Sequence, residues 1–242
     1  MQILRAFTPD FDWIVPLGPG IELTLSTKKH LGLLRRGTRT KEAAIAAQLA
    51  GMVPADGVMY DIGANIGLYT LMFAANRNRK VHSFEPGTAA LSFLRRNVAR
   101  NSLSNVRIHP LVLTDHAGTC RFVLDHATTA TSHVAGADEA GADVACTDLD
   151  SYLREHLLPE PDLVKIDVEG HDMAVLRGMR GLLTRRRPLV WLEGGSRGED
   201  GHSESLAFLD GLGYAAWDLD RSRKIYADGK DYSYLATASG IR

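Results

Sequence analysis

Short apolar runs recur through the middle of the chain at 58–62, 80–84, 106–113, 163–167 and 189–193. Stretches of helical periodicity lie between them, near 68–76, 87–100, 148–157, 171–183 and 203–212. Apolar runs of strand length bounded by turn residues predict strands buried on both faces, and their alternation with helices predicts a parallel sheet covered on both sides. After Tyr214 the rhythm changes. Runs at 215–219, 224–227 and 232–237 have no helix-length segment between them, so they are expected to pair as antiparallel strands. At the front, 21–25 alternates with period two and predicts a half-exposed strand. An alanine-rich helix is expected over 40–50, closed by Gly51 and Pro54. Residues 125–147 lack periodicity and are longer than structureless connections usually are, which suits either a lid or a tolerated insertion.

The fold class expected from this pattern is α/β, a doubly wound, mostly parallel, Rossmann-like sheet of seven strands with antiparallel C-terminal strands. Residues 1–40 form a β-rich extension ahead of a main domain over 41–242. At 242 residues, 45% hydrophobic and 24% charged, the composition is that of an ordinary globular protein, and a formal charge of -1 gives no reason to expect nucleic acid as a partner. The N-terminus carries no apolar signal core and no run approaches a membrane span, so a cytoplasmic location is the default; a homo-oligomer is compatible with this composition. Two cysteines, Cys120 and Cys146, make neither a disulfide framework nor a zinc site and read as small apolar residues.

Two strand-to-helix junctions carry the candidate chemistry. At the first, Asp61-Ile62-Gly63-Ala64-Asn65-Ile66-Gly67 places two glycines where a tight turn and close approach of a ligand are needed. A dinucleotide fingerprint wants a second glycine where Asn65 stands, so a pyrophosphate is disfavoured. The next strand ends in Phe84-Glu85-Pro86, and an acid there can accept hydrogen bonds from both ribose hydroxyls. A glycine turn plus a ribose acid without pyrophosphate features suits S-adenosylmethionine (SAM). Asp61 is expected near its ammonium group, Gly63, Asn65 and Gly67 around its methionine part, and Asp115 near its adenine. An equal reading of Asp115 is the first residue of an Asp-His-Ala-Gly turn.

At the second junction, Lys165-Ile166 runs into Asp167-Val168-Glu169-Gly170-His171-Asp172. Methyl transfer is an in-line displacement, so alignment of the reactants dominates and removal of the acceptor's proton adds to it. His171 is the candidate base, because its ordinary pKa lies near neutrality, and its alternative role is a helix cap. Asp167 is expected to face the cofactor crevice. Glu169 follows at the same parity if the chain stays extended. Lys165, a lysine in a central strand, needs a partner, and Glu193 at the end of the next strand is the expected one. A divalent metal held by these acids and His171 is conceivable but not favoured, since no spacing singles out a metal site. His30, beside Lys28 and Lys29, is a candidate to face substrate from the extension, His82 and His109 read as structural, and His116, His126, His133, His156 and His202 receive no role.

Asp61 to Gly67, Phe84-Glu85-Pro86, Asp148-Leu149-Asp150-Ser151-Tyr152-Leu153 and Lys165 to His171, in this order, resemble the FkbM-type SAM-dependent methyltransferases over roughly residues 38–237. The resemblance implies a class I methyltransferase fold and, usually, O-methylation of a hydroxyl on a sugar, lipid or polyketide-type natural product. Asp172 departs from the glutamate common at that position. N-methylation of a small molecule, an NAD-dependent oxidoreductase and a binding protein without turnover are the competing readings; Asn65, and the lack of a Tyr-x-x-x-Lys motif, argue against the oxidoreductase.

Overall fold

Strands β3 (Val58–Ile62) and β10 (Leu163–Ile166) are buried at every residue and lie side by side, parallel and in register, with Leu163 opposite Met59 and Lys165 opposite Asp61. The computed structural model to which they belong describes residues 10–34, 36–123, 132–136, 139–193, 199–220, 224–225 and 233–238. Strands β4 (Lys80–Phe84) and β5 (Val106–His109) continue the sheet on one side. On the other side lie β11 (Leu189–Glu193), then β14 (Ser233–Ala238), β12 (Tyr214–Trp217) and β13 (Lys224–Ile225). The five strands from β5 to β11 are mutually parallel, and β14, β12 and β13 each run antiparallel to their neighbours. The described sheet has eight strands against the seven expected, and the 224–227 run, expected as a strand, contributes Lys224–Ile225 at its edge.

Alternation within these strands divides the core between two faces. Val58, Tyr60, Ile62, Val164 and Ile166 join the cluster built with α5 (Leu149–His156), α6 (Asp172–Gly178), α7 (Arg180–Arg185) and α8 (Glu199–Gly211). Met59 and Leu163 point the other way, toward α2 (Arg36–Gly51) and α3 (Leu68–Ala74). Asp61 and Lys165 share the parity of Met59 and Leu163, which places two charged groups inside the second face. A short α1 (Leu31–Leu34) precedes α2.

The front of the chain is a hairpin of β1 (Asp12–Gly18) and β2 (Ile21–Ser26). Val15, Ile21, Leu23 and Leu25 sink into the same core as α2 and α3. Two asparagines one turn apart on α4 (Thr88–Arg100) and its C-cap hold β2 in place. Asn97 accepts from the Thr24 N–H at 2.8 Å and donates to the Thr24 and Ile66 carbonyls, and Asn101 does the same with both backbone groups of Glu22. The first strand of this hairpin was not legible in sequence: its Trp13 and Ile14, with Phe11 just ahead of it, are apolar yet exposed, which blurs the alternation.

A second sheet, ordered β6 (Val112–Thr114), β9 (Ala142–Asp148), β7 (Gly118–Val123), β8 (His133–Val134), stands beside the first. The run expected as one strand over 106–113 therefore divides between two sheets. Pro110 has no N–H to give to a ladder, and the chain turns there. The 125–147 stretch is not structureless throughout, since β8 and most of β9 fall within it; residues 124–131 and 137–138 lie outside the described set. The helix expected over 171–183 is broken at Met179, whose backbone leaves the helical region at φ -118° and ψ 18°.

Candidate active site

Strand order reverses between β3 and β10: from β3 the sheet grows through β4 to β5, and from β10 through β11 to β14. Ligands of open α/β sheets bind outside the carboxyl ends of the strands at such a point. Here a cleft open to solvent is lined by Gly63 and Asn65 after β3, Glu85 after β4, and Asp167, Glu169 and His171 after β10. The second sheet supplies an apolar wall that includes Val112, Phe122 and Val134.

Glu85 is 6% exposed, and its carboxylate is held from both sides by backbone. Oε2 accepts the Asn65 N–H and Oε1 the Gly87 N–H, each at 2.7 Å. Burial pushes this carboxyl up to about 7, against the pull of those two donors. The Asn65 backbone is left-handed at φ 50°, and its buried Oδ1 has no hydrogen-bond partner in the protein. The Asn65 Oδ1 and the Glu85 carboxylate thus keep acceptor capacity that the protein itself does not use, both on residues that line the cleft.

Gly63 and Gly67 are needed for packing. Gly63 sits at φ 74°, and a Cβ there would overlap the Asp167 carbonyl oxygen, so its absence lets the two strand ends close on each other. Gly67 sits at φ 96° as the N-cap of α3, where a Cβ would collide with Leu94, and it does not line the cleft.

Asp61 lies fully buried beneath the floor. Its Oδ2 accepts from Thr70 Oγ1 at 2.6 Å, and its Oδ1, which accepts no hydrogen bond, is 3.4 Å from Lys165 Nζ. Lys165 Nζ also donates to the Gly63 carbonyl at 3.0 Å and to Asp167 Oδ2 at 3.3 Å. Burial alone would push this ammonium down, but Asp167, Asp61 and Glu193 outweigh it and hold Lys165 above its ordinary value. The expected Lys165–Glu193 bond is corrected by the register. Lys165 faces Asp61 on one side and Trp191 on the other, and Glu193 is paired with Ser233 of β14. Glu193 still senses the site: burial and the nearby Asp167 carboxylate raise its pKa.

The turn after β10 does not stay extended, so the parity argument for Glu169 fails. Glu169 at φ 50° and Gly170 at φ 90° are both left-handed, yet Glu169 lines the cleft. His171 occupies the N-cap position of α6 but makes no side-chain cap bond. Its Nε2 is 3.1 Å from Thr114 Oγ1 of the second sheet. Burial holds the imidazole below its ordinary range, with Asp115 opposing and His116 assisting. Asp115 itself is exposed and outside the cleft lining, paired with His116 Nδ1 at 3.0 Å. Among the described residues no three His, Cys, Asp or Glu side chains converge as a metal-ligand set.

Two sets of residues went unnoticed in sequence. Phe122 and Val134 belong to short strands, although the alternation of inward Cys120 and Phe122 with outward Thr119 and Arg121 was a usable signal. Thr114, the partner of His171, was hidden in an apolar run. By contrast, the Asp148-to-Leu153 motif is architectural. Asp148 caps α5 through the Ser151 N–H at 2.8 Å, and Asp150 caps α7 through the Gly181 and Leu182 N–H groups. His82 and His109 bond each other at 3.0 Å, and burial lowers them to about 4 and about 3, as fits structural residues.

Residues 61–215 match the model of the methyltransferase FkbM domain. The chain is 27% identical over 128 residues to the hexuronic acid methyltransferase AglP of Haloferax volcanii, covering 53% of this chain and 52% of that protein. It spans roughly half the length of the curated relatives it matches. Among solved structures, the FkbM methyltransferase of Methylobacillus flagellatus superposes with a TM-score of 0.53 at 16% identity, over 77% of this chain and 45% of that one. The Pyrococcus abyssi tRNA (uracil-54, C5)-methyltransferase, solved with S-adenosyl-L-homocysteine, gives 0.50 at 12% identity, over 93% and 43%. These likenesses show a class I, Rossmann-like methyltransferase fold. No helix among the described residues is long and apolar enough to cross a membrane. The chain belongs to the FkbM family of methyltransferases.

Proposed function

We propose that the protein transfers the methyl group of SAM to a hydroxyl of a sugar, lipid or polyketide-type small molecule. The observation that carries the cofactor half is Glu85. Two backbone N–H groups fix its carboxylate at the cleft and leave lone pairs for a pair of ribose hydroxyls, with the orphaned Asn65 Oδ1 beside it. The residues present therefore fit a nucleoside with a polar, cationic tail. Glu85 would hold the ribose, Asn65 and the Gly63 turn the methionine part, and Val112, Phe122 and Val134 an apolar ring face. When bound, SAM supplies an electrophilic methyl on a sulfonium.

The chain's own groups do the rest. Asp167, held by Lys165 at the second junction and packed against the Gly63 turn, orients the acceptor. His171, kept neutral by burial and anchored through Thr114, takes the acceptor hydroxyl's proton, a contribution of roughly 10²–10⁴-fold in rate. Asp167 and Glu169, both lining the cleft, give that side of it a negative lean. Like charges repel across the cleft, which favours a neutral hydroxyl over a carboxylate acceptor. Acceptor choice is assigned to residues 1–40 and 125–147, where β8 already contributes Val134 to the wall.

The test is incubation with methyl-labelled SAM and a panel of methyl hexosides, hexuronides and hydroxylated polyketides. Label recovered as a base-stable methyl ether on a neutral acceptor supports the reading. Label recovered as a base-labile ester or on nitrogen overturns the hydroxyl assignment.

A further inference from the structure

On the same face of the second sheet as the apolar wall, and in the turn beside it, four residues come together that the methyl-transfer reading leaves unused. Cys120 on β7 and Cys146 on β9 are diagonal neighbours, since Gly118 pairs with Cys146 and Cys120 with Val144. Burial and a hydrogen bond with Cys146 push the Cys120 thiol up. Cys146 Sγ lies 3.6 Å from His116 Nε2, and His116 Nδ1 lies 3.0 Å from Asp115 Oδ1. A carboxylate can only accept here, so the Asp115 bond puts the proton of neutral His116 on Nδ1 and leaves Nε2 as acceptor for the Cys146 thiol. Nucleophile, base and orienting acid thus stand in the order that activates a thiol. Cys146 is 5% exposed, while Cys120 is half-buried and His116 is exposed, so the group is reached from solvent at one side.

We propose that Cys146 and Cys120 form a reversible dithiol–disulfide site, opened by His116 and oxidised by a low-molecular-weight disulfide, whose closure displaces the Phe122 wall of the cleft. His116 Nε2 takes the Cys146 proton, the thiolate attacks one sulfur of the small disulfide, and that S–S bond breaks. The first small thiolate leaves and takes the proton from His116. The Cys120 thiol then loses its proton to solvent and attacks the Cys146 sulfur of the mixed disulfide, expelling the second thiolate. The protein pair is oxidised by two electrons and the small disulfide is reduced to two thiols.

Closure moves backbone. Diagonal strand neighbours have Cα atoms roughly 7–8 Å apart, beyond the roughly 4.4–6.8 Å that a relaxed disulfide spans. Cys146 packs directly with Val112 and Phe122, both of which line the cleft. The coupling half of the proposal rests on the cofactor reading above; the thiol half does not.

The experiment exposes the reduced full chain to oxidised glutathione, then alkylates the remaining thiols and weighs the intact protein. Loss of both labels without a retained glutathione is expected. Cys120→Ser should hold a persistent adduct on Cys146, and His116→Gln should slow the first step by on the order of tenfold or more. Two labels retained, independent stable adducts on both cysteines, or an unchanged rate in His116→Gln would overturn the site. S-adenosylhomocysteine should bind the oxidised form several-fold more weakly, with affinity restored by dithiothreitol. Equal affinity in the two forms, or no binding to the reduced form, sinks the coupling, while the label count scores the thiol chemistry on its own.

Discussion

The Lys165 ammonium donates to the Gly63 carbonyl oxygen at 3.0 Å, which ties the turn after β3 to the turn after β10 from below. With Asp61 and Asp167 on the same nitrogen, one buried cation organises both halves of the cleft floor. Removing it leaves a buried carboxylate uncompensated, which costs about 3–5 kcal/mol. Lys165→Met should therefore lose stability of that size in urea unfolding. Adding Asp61→Asn should recover a large part of it, and a double variant no more stable than the single would refute the pairing.

Glu85 sets a pH dependence with a definite sign. Its folded pKa is raised from 4.5 to about 7, so the fold favours the protonated form. Its contribution to stability is present in full below the unfolded value and is lost as pH rises through the window up to about 7. Glu85→Gln should flatten that slope in thermal melts of the free protein. Ligand binding runs the other way, because ribose hydroxyls need the ionised carboxylate. Affinity for S-adenosylhomocysteine should fall on the order of tenfold from roughly pH 8 to 6, and Glu85→Gln should weaken it by about 1.5–3 kcal/mol.

His171→Ala should keep cofactor affinity and lower turnover by on the order of 10²-fold. Because burial lowers the His171 pKa, the neutral base persists to lower pH than an ordinary histidine. The acidic limb of the rate profile should lie below the usual histidine range and vanish in the variant. Unchanged turnover would leave His171 as only the anchor of α6 to Thr114.

Asn97 bears three hydrogen bonds, to both backbone groups of Thr24 and to the Ile66 carbonyl. A buried group left unsatisfied costs about 1–3 kcal/mol, so Asn97→Ala should destabilise the fold by at least about 2 kcal/mol. Earlier proteolysis of the hairpin is the accompanying readout.

The parallel core was legible because β3 and β10 carry continuous apolar runs, and their charged residues stood out against that background. What sequence could not supply was register. Lys165 needed a partner, but whether it was Asp61 or Glu193 depended on which residues lay opposite, and the ladder chose Asp61. The glycines of the first turn were legible as necessary, and the structure adds a packing reason that the sequence did not carry, since Gly63 makes room for the Asp167 carbonyl and Gly67 for Leu94. The second sheet was the hardest part. Its strands are short and half-exposed, and its role as the cleft wall arises only when Phe122 and Val134 are brought beside Glu85 and His171. The two cysteines read as inert for the same reason: their meeting is made by the β7–β9 pairing.

On the proposed reading, the cleft at the β3–β10 switch point holds SAM. The most direct test of this is calorimetric titration of the protein with SAM, S-adenosylhomocysteine and NAD, repeated with Glu85→Gln. Binding of the first two with one-to-one stoichiometry, weakened in Glu85→Gln, and no heat with NAD is the predicted result. Binding of NAD without SAM, or SAM affinity indifferent to Glu85, would contradict it.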